Sequence, residues 1–250
     1  MAENTYTERV EGVSILERIV TGKGFPLIKF QTRERIEQLQ SGLLYMNSLK
    51  KYREMYKDSH DNIIGDPNEG KLIIHDAIIH IPEMAEAQRL KDVSLATASG
   101  NDYVFCMFGV NPLEHHTFRF TEEQRTKITE EYDTALLITD VYEFARRVSR
   151  AAQRDGYEIE GKFVQYYDPS SDDVSRMADL LINGMRSIAF YKVNEYAYQQ
   201  EYRFSIPYID GKCHIEIDIG DISGISEIFS ADKLLSSLAI TAASKDHSDK

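Results

Sequence analysis

The stretch Tyr191–Pro207 has the sequence YKVNEYAYQQEYRFSIP, and it decides how we interpret the fold and the function. It contains four tyrosines, and its second half is an apolar run closed by a proline. This run predicts a strand that ends at Pro207, because proline cannot donate a hydrogen bond to a neighbouring strand. Side chains alternate along a strand, so one of its faces is expected to anchor it in the core. That face carries Tyr202, Phe204 and Ile206.

A glutamine, a carboxylate and an arginine lie around the start of this strand. If the strand begins near Gln199, then Gln199, Glu201 and Arg203 share its other face. Tyrosines suit the walls of ligand pockets, and several surround these three residues, which are therefore candidates for a site. The alternative is the polar face of an edge strand, on which Glu201 and Arg203 form cross-strand ion pairs.

Strands and helices are mixed along the chain without the regular alternation that a parallel sheet requires. We therefore predict an α+β fold with a mixed, mostly antiparallel sheet of about six to eight strands. The apolar run 103–110 is predicted to be a buried central strand. The other strands are predicted over residues 25–30, 43–47, 72–81, 135–139, 163–167, 188–193, 202–207 and 214–219.

Capping patterns indicate where several helices begin. Thr121 with Gln124, and Asp140 with Glu143, resemble capping boxes, and Gly42 lies where a helix-ending glycine belongs. The helix after Asp140 places its apolar residues 141, 144, 145 and 148 on one face. Helices are predicted over residues 33–43, 48–56, 121–133, 174–182 and 230–238 and from residue 141, whereas residues 84–95 are predicted to be helical or irregular.

The chain has 250 residues of ordinary globular composition, and no linker rich in Pro, Gly or Ser divides it. We expect an extension over residues 1–24, a single α+β domain over 25–240 and a disordered tail over 241–250. There is no targeting signal, and no apolar stretch approaches the ~20 residues of a membrane helix. Two cysteines are too few for a disulfide scaffold. The sequence therefore predicts a cytoplasmic protein without membrane contact.

Charge and motif spacing exclude several classes of function. The net charge of −12 argues against non-specific nucleic-acid binding, which needs clustered Lys and Arg. The glycines lack the spacing of a phosphate-binding loop, and no serine-hydrolase elbow is present. His75 and His80 point to opposite faces of a predicted strand, and no cysteine pair supports zinc, so no metal site is predicted.

The pattern Gln199-x-Glu201, followed by a short apolar strand that ends in proline, resembles the catalytic signature of ADP-ribosyltransferases. The first strand of that family carries a basic or His residue, often beside an aromatic one, and Lys29-Phe30 occupies this place here. A helix and a short strand follow in the family, which is similar to residues 33–47 here. Toxins of the family carry Arg at the position of Lys29. The resemblance implies an ADP-ribosyltransferase-like fold and NAD as co-substrate.

The chain also resembles an uncharacterised bacterial family found near mobile elements and phage-defence genes. The family has an YMNSL element followed by Tyr-Arg, an acidic loop like GDPNEG, an apolar FCMF strand and a late QEYR. The matching residues here are 42–49 with 52–53, 65–70, 105–108 and 200–203. The acidic loop, residues 65–70, is predicted either to order over the site, to recognise the acceptor, or to be a solvated turn.

The resemblance to ADP-ribosyltransferases implies a role for each candidate residue. Glu201 would hydrogen-bond the ribose 2′-OH and stabilise the positive charge that develops on the sugar as nicotinamide leaves. Gln199 would orient the acceptor, and Lys29 would hold a phosphate. The remaining cofactor-binding candidates are Phe30, Tyr45 and Tyr198 for stacking on nicotinamide, Asn47 for its amide, and Arg203.

The implied function is transfer of ADP-ribose from NAD to a macromolecular acceptor, protein or nucleic acid. The enzyme would be a toxin or anti-phage defence effector, with an antitoxin or chaperone protein as partner. One alternative is NAD hydrolysis, and another is a non-catalytic module on the same fold that binds a nucleotide or a protein. A third is a structural protein of a phage or mobile element, which should expose an apolar patch. An enzyme should instead bring Lys29, Tyr45 and Glu201 to one cleft.

Overall fold

The computed structural model describes residues 25–59, 66–79, 86–96, 98–110, 117–171, 187–209 and 211–241. The extension expected over residues 1–24, the helix expected over 174–182 and the tail beyond residue 241 lie outside the described residues. No helix in the described ranges is long and apolar enough to cross a membrane.

The described chain is a mixture of strands and α-helices, joined by short 3₁₀ helices and loops. The strands are β1 (Leu27–Gln31), β2 (Leu43–Ser48), β3 (Leu72–Ile79), β4 (Gln88–Leu95), β5 (Tyr103–Gly109), β6 (Thr117–Arg119), β7 (Thr134–Ile138), β8 (Glu160–Phe163), β9 (Gln165–Tyr167), β10 (Tyr191–Val193), β11 (Glu201–Ile206), β12 (His214–Asp218), β13 (Ser226–Ser230) and β14 (Ala239–Thr241). The α-helices are α1 (Arg33–Gln40), α2 (Leu49–Ser59), α3 (Glu122–Glu131), α4 (Val141–Arg154) and α5 (Ala231–Ser237).

An eight-stranded sheet forms the centre of the fold. Six of its strands follow the order β12-β2-β5-β1-β7-β13, and β11 pairs with β5 and with β8. All of these pairings are antiparallel. The small β9–β10 pair is parallel and lies outside this sheet. The predicted α+β class with a mostly antiparallel sheet is therefore confirmed.

Strand β5 is the branch point of the sheet. Along one edge, residues Tyr103 to Phe108 of β5 pair with the full length of β11. Its other edge is shared, because β1 pairs with it only at residues 108–109 and β2 only at 103–104. Between these two contacts β1 and β2 diverge, which leaves a notch beside residues 105–107. The notch opens next to the face of the sheet that carries Glu201 and Arg203.

The two faces of the sheet bury different clusters. One face packs on α1 and α4 through a large apolar core, in which Phe105, Phe144 and Phe204 are buried. The other face, here called the site face, carries an aromatic cluster around Phe30 and Phe108 near α3 and α5. Directly paired residues share a face, so the pairs Glu201–Phe108 and Arg203–Cys106 place both charged side chains on the site face.

Local sequence signals explain where several elements begin and end. Thr121 accepts a hydrogen bond from the Gln124 backbone and the Gln124 side chain accepts one from the Thr121 backbone, so the predicted capping box of α3 is confirmed. The Asp140 side chain caps α4 by accepting from the Glu143 backbone, whereas the Glu143 side chain pairs with Arg146 and Arg147, so only this half of the expected capping box is confirmed. Gly42 has φ +115°, and a Cβ there would lie 2.7 Å from the Gly220 carbonyl carbon, so only glycine fits after α1.

Three predictions about local structure are wrong in whole or in part. Residues 84–95 were expected to be helical or irregular, but Gln88–Leu95 forms β4 and pairs with β3 in a two-stranded hairpin. The pairing partner, and not the polar sequence QRLKDVSL, determines this strand. The strand expected over residues 188–193 is a strand only from Tyr191, because Ile188–Phe190 is a 3₁₀ helix. Strand β11 begins at Glu201, which agrees with the strand predicted over 202–207 and not with a start near Gln199. Strands β6, β13 and β14 were not predicted.

Candidate functional site

The backbone before Glu201 is bent sharply. A 3₁₀ helix, Asn194–Gln199, ends at Gln200, which has φ 40° and ψ 51° in the left-handed region. This conformation is costly for a residue with a side chain and marks a place where the surroundings dictate the backbone. The expected alternation of Gln199 and Glu201 along one strand is therefore wrong. Gln199 nevertheless reaches the same place, because its Oε1 accepts a hydrogen bond from Lys192 Nζ at 2.7 Å.

Gln124 of α3 holds this bend. Its buried side chain donates to the Tyr198 carbonyl oxygen at 2.9 Å and to Gln200 Oε1 at 3.1 Å. The Gln200 carbonyl oxygen in turn accepts from the Gly109 backbone N–H of β5 at 2.9 Å. Gln124, the glutamine of the α3 capping box, thus also fixes the turn that leads into Glu201.

Four charged side chains form a closed ring on the site face, here called the ion-pair ring. Glu201 Oε1 accepts from Lys192 Nζ at 2.9 Å, and Glu201 Oε2 accepts from Arg203 Nε at 2.6 Å. Glu69 completes the ring, with 2.6 Å from Oε1 to an Arg203 guanidinium nitrogen and 3.3 Å from Oε2 to Lys192 Nζ. Each member is at most 7% exposed. The alternative interpretation of these residues is thus wrong about the edge strand, because β11 pairs with both β5 and β8, but Glu201 and Arg203 do form ion pairs.

The ring keeps all four groups charged. Burial alone would raise the pKa of Glu201, but Arg203 and Lys192 outweigh it and hold that pKa well below the usual value. The pKa of Glu69 is lowered in the same way against the effect of burial, by Arg203 and then Lys192. Burial would lower the pKa of Lys192 and Arg203, but the two carboxylates raise both well above their ordinary values. Two positive and two negative charges leave the ring neutral.

The acidic loop delivers Glu69 to the ring. Its described part, residues 66–70, carries two buried acids, Asp66 and Glu69, so the interpretation as a solvated turn is wrong. Arg53 of α2 anchors the loop by donating to the Glu69 carbonyl oxygen at 2.5 Å and to the Gly100 carbonyl oxygen at 2.8 Å. Gly70 ends the loop with φ +70°, and a Cβ there would lie 2.6 Å from the Gly100 oxygen. The Tyr-Arg element, the acidic loop and the QEYR segment therefore meet at one place.

A pocket of about 210 Å³ opens over the ring. Its floor is formed by Cys106 and Phe108 of β5 and by Glu201 and Arg203 of β11. Helices α2 and α3 and the 3₁₀ helix before β11 form its walls. The residues that these walls contribute include Tyr52, Met55, Lys127, Ile128, Tyr132, Tyr198 and Gln199.

Lys29 fills the notch between β1 and β2. The Gly109 backbone points to β11, so by alternation the Cys106 backbone faces the notch. Lys29 Nζ donates to the Cys106 carbonyl oxygen at 2.7 Å and lies 4.9 Å from the centre of the Phe105 ring. Burial lowers the pKa of the Lys29 ammonium, and the electrostatic influence of Cys106 and Glu201 opposes this shift. The notch thus places a cation at the edge of the pocket.

The structure brings most sequence candidates together and leaves one outside. The candidates that line the pocket are Lys29, Phe30, Asn47, Tyr198, Gln199, Glu201 and Arg203. Tyr45 does not line it. Its ring stacks on His214 with the centroids 4.8 Å apart, and the Arg35 guanidinium lies 5.3 Å from the Tyr45 centroid. The expected convergence of Lys29, Tyr45 and Glu201 is therefore met by the first and the last of these residues only.

Sequence reasoning did not single out Lys192, Glu69 as an ion-pair partner, or Lys127. The signal for Lys192 was present, because a lone Lys in an otherwise apolar segment is seldom buried without a paired acid. Lys127 lies at the pocket with its Nζ 3.8 Å from the centre of the Tyr198 ring and 2.9 Å from Glu123 Oε1. Nothing in the sequence pattern of α3 distinguishes it from other surface lysines.

Other chemistry in the pocket is restricted. Burial raises the pKa of the Cys106 thiol to about 12, so it stays protonated at neutral pH and is a poor nucleophile. Among the residues that the structure describes, no group of three or more His, Cys, Asp or Glu side chains is placed to hold a metal ion. The described groups offer an ionised carboxylate, an amide, cations and aromatic rings.

Comparisons of the chain with models of protein families, with curated proteins and with solved structures found no match.

Proposed function

We propose that this protein is an NAD-dependent ADP-ribosyltransferase with an ADP-ribosyltransferase-like fold. The observation that carries the proposal is the convergence of Gln199 and Glu201 with Lys29, Asn47 and Tyr198 around one pocket. These residues come from three separate parts of the chain. Their convergence supports a common ligand more strongly than the short Gln-x-Glu pattern does alone.

Glu201 has the properties that the reaction needs. When nicotinamide leaves NAD, positive charge moves onto the ribose, and a carboxylate at the 2′-OH stabilises it more in the transition state than in the ground state. The ring holds Glu201 ionised and fixed in position. Each carboxylate oxygen can accept two hydrogen bonds, so an oxygen that accepts one bond from a cation can still accept one from a hydroxyl.

The size of the pocket defines which part of NAD it would hold. Pockets for drug-sized ligands measure roughly 300–1,000 Å³, and this one measures about 210 Å³. The nicotinamide-ribose end would enter it, with Tyr198 or Phe30 against the nicotinamide ring and Asn47 at its amide. The phosphates would lie at the entrance, where Lys127 supplies positive charge in a chain of net charge −12, and Lys29 supplies a second cation beside Cys106 at the edge of the floor.

The biological role is proposed from the resemblance to the bacterial family near phage-defence genes. The enzyme would act in the cytoplasm as a toxin or anti-phage effector on a macromolecular acceptor, and an antitoxin or chaperone would restrain it. The net charge of −12 favours a protein acceptor over a nucleic acid, since like charges repel.

A non-catalytic binding module on the same fold is the second candidate, and one specific observation favours it. Both oxygens of Glu201 already contact a cation, as expected for an ion pair that only stabilises the protein. Such a module would bind a nucleotide in the pocket without cleaving it. A structural role has less support. Among the residues that the structure describes, the exposed large apolar side chains are Ile78, Leu90 and Ile209, and the first two lie on opposite faces of the β3–β4 hairpin, where Leu90 pairs with Ala77.

Transfer of labelled ADP-ribose from NAD to cell lysate tests the proposal. We expect the wild type to label macromolecules and Glu201→Gln to lose labelling by about 100- to 1000-fold, as is usual when one electrostatic stabiliser is removed. Glu195→Gln is the matched control, because Glu195 is exposed and only six positions away. Tyr198→Ala, which keeps all four members of the ion-pair ring, should also reduce labelling. NAD binding without labelling by the wild type would favour the binding module.

A further inference from the structure

We propose that Glu69 of the acidic loop is a positioning residue for Glu201: it sets how strongly Lys192 and Arg203 hold the carboxylate that acts on the ribose. This inference rests on the proposed function and adds a residue that neither the Gln-x-Glu pattern nor the resemblance assigns. It follows from the geometry of the ion-pair ring and from the way the loop is anchored.

Each cation of the ring is shared between two carboxylates. Arg203 contacts Glu201 Oε2 and Glu69 Oε1 at 2.6 Å each. Lys192 contacts Glu201 Oε1 at 2.9 Å and Glu69 Oε2 at 3.3 Å. Because Glu69 takes part of each cation's field, Glu201 is held in place without being fully neutralised. Removal of Glu69 would leave two cations on one carboxylate.

This change matters most in the transition state. With Glu69 present the ring is neutral, whereas without its charge the ring carries a net charge of +1. The ribose gains positive charge as nicotinamide leaves, so a positive ring next to it would oppose the reaction. Electrostatic interactions of this kind are strong between buried groups, and all four members of the ion-pair ring are buried. The rate of the chemical step should therefore fall more than the affinity for NAD.

The surroundings of Glu69 suit a fixed positioning role. Arg53 holds its carbonyl oxygen at 2.5 Å and contacts Asn101 Oδ1 at 2.7 Å, so the loop is tied to the turn before β5. Glu69 also lines the pocket itself. Asp66, in the same loop, is buried and does not line the pocket. Its carboxylate acts on Lys192 and Glu69 from a distance and forms no ion pair with them, so it provides a comparison between a more distant charge of the same loop and the direct contacts of Glu69.

The experiment measures kcat and KM for nicotinamide release from NAD in the wild type and in three variants: Glu69→Gln, Glu69→Asp and Asp66→Asn. We expect Glu69→Gln, which keeps the shape and loses the charge, to lower kcat by about 10- to 100-fold with a smaller change in KM. Glu69→Asp restores the charge and should recover part of this loss. Asp66→Asn should stay within about threefold of the wild type, since its carboxyl contacts no member of the ring within ion-pair distance. Thermal unfolding of each variant shows whether it is folded at the assay temperature.

The outcomes separate this inference from the proposed function. No nicotinamide release by folded wild type would overturn the proposed function itself. Wild-type release with an unimpaired Glu69→Gln, with equal losses in Asp66→Asn, or with no recovery in Glu69→Asp would overturn only the role of Glu69. If Glu69→Gln does not fold, Glu69→Asp carries the test alone. Its carboxylate is withdrawn by one methylene, and a folded variant with wild-type kcat would then overturn the inference.

Discussion

Replacement of Lys192 by Met tests how much the protein's stability depends on the ion-pair ring. The substitution keeps the length and the apolar stem of the side chain and removes a buried charge that contacts both Glu69 and Glu201. Breaking a buried ion pair by removing one partner typically costs about 3–5 kcal/mol, because the remaining charges stay buried without compensation. Whole domains are stable by only about 5–15 kcal/mol. We therefore expect Lys192→Met to lose a large part of the free energy of unfolding at pH 7.

The stability of Lys192→Met should change with pH in the direction opposite to that of the wild type. In the wild type, the pKa of Glu201 is depressed in the folded state, so its contribution is present above the unfolded value of about 4.3 and is lost as pH falls. In Lys192→Met, two carboxylates share Arg203, and the pKa of one of them should rise above its unfolded value. The folded variant then gains from binding a proton. Its deficit should shrink toward pH 5 and grow toward pH 8.

Urea unfolding followed by circular dichroism at pH 5 and pH 8 measures both effects. Lys50→Met is the matched control, because Lys50 forms an exposed pair with Glu54 and such pairs contribute only about 0.3–0.5 kcal/mol. A loss in Lys192→Met no larger than in the control would refute the reasoning. A deficit that is the same at both pH values would show that the carboxylates of the ring do not respond to the missing cation.

Three further predictions concern separate parts of the chain. Lys127→Ala should raise KM for NAD several-fold with little change in kcat, measured by steady-state nicotinamide release, because Lys127 would meet the phosphates and not the reacting bond; an unchanged KM would remove it from the site. Gly42→Ala should destabilise the protein by about 2 kcal/mol or more in urea unfolding, since φ is +115° and the Gly220 backbone blocks the methyl group; a neutral effect would contradict this local geometry. Iodoacetamide at pH 8 should modify the exposed Cys213 and spare Cys106, whose pKa burial raises to about 12, and mass spectrometry of the peptides would detect the reverse pattern.

Much of the fold followed from local sequence signals. Strand β5 was predicted because an apolar run of strand length is typical of a buried central strand. Helix α4 was predicted because a capping aspartate precedes residues that share one apolar face. Strand β4 was missed, since its polar sequence carries no strand signal of its own. It is a strand because β3 pairs with it along its whole length, and that partner is not visible in a local pattern.

The candidate site was predictable only in part, because local patterns show some of its residues but not their partners from distant parts of the chain. Glu201 and Gln199 were recognised because a Gln-x-Glu pattern lies at the start of an apolar strand. The left-handed backbone of Gln200 between them was not predictable from the sequence. The partners of Glu201 were harder to foresee. Glu69 and Arg203 are 134 positions apart in the chain, and only the folded sheet and the anchored loop bring them together. Tyr45 was placed in the site by the resemblance to ADP-ribosyltransferases, whereas its ring packs against His214 instead.

The rate of nicotinamide release from NAD by the purified protein tests the central claim most directly. Release would be followed by chromatography for the wild type, Glu201→Gln and the exposed control Glu195→Gln, each shown to be folded by circular dichroism. The account predicts release by the wild type and the control and a rate about 100- to 1000-fold lower for Glu201→Gln. Equal release by Glu201→Gln, or no release by the folded wild type with and without lysate, would contradict it.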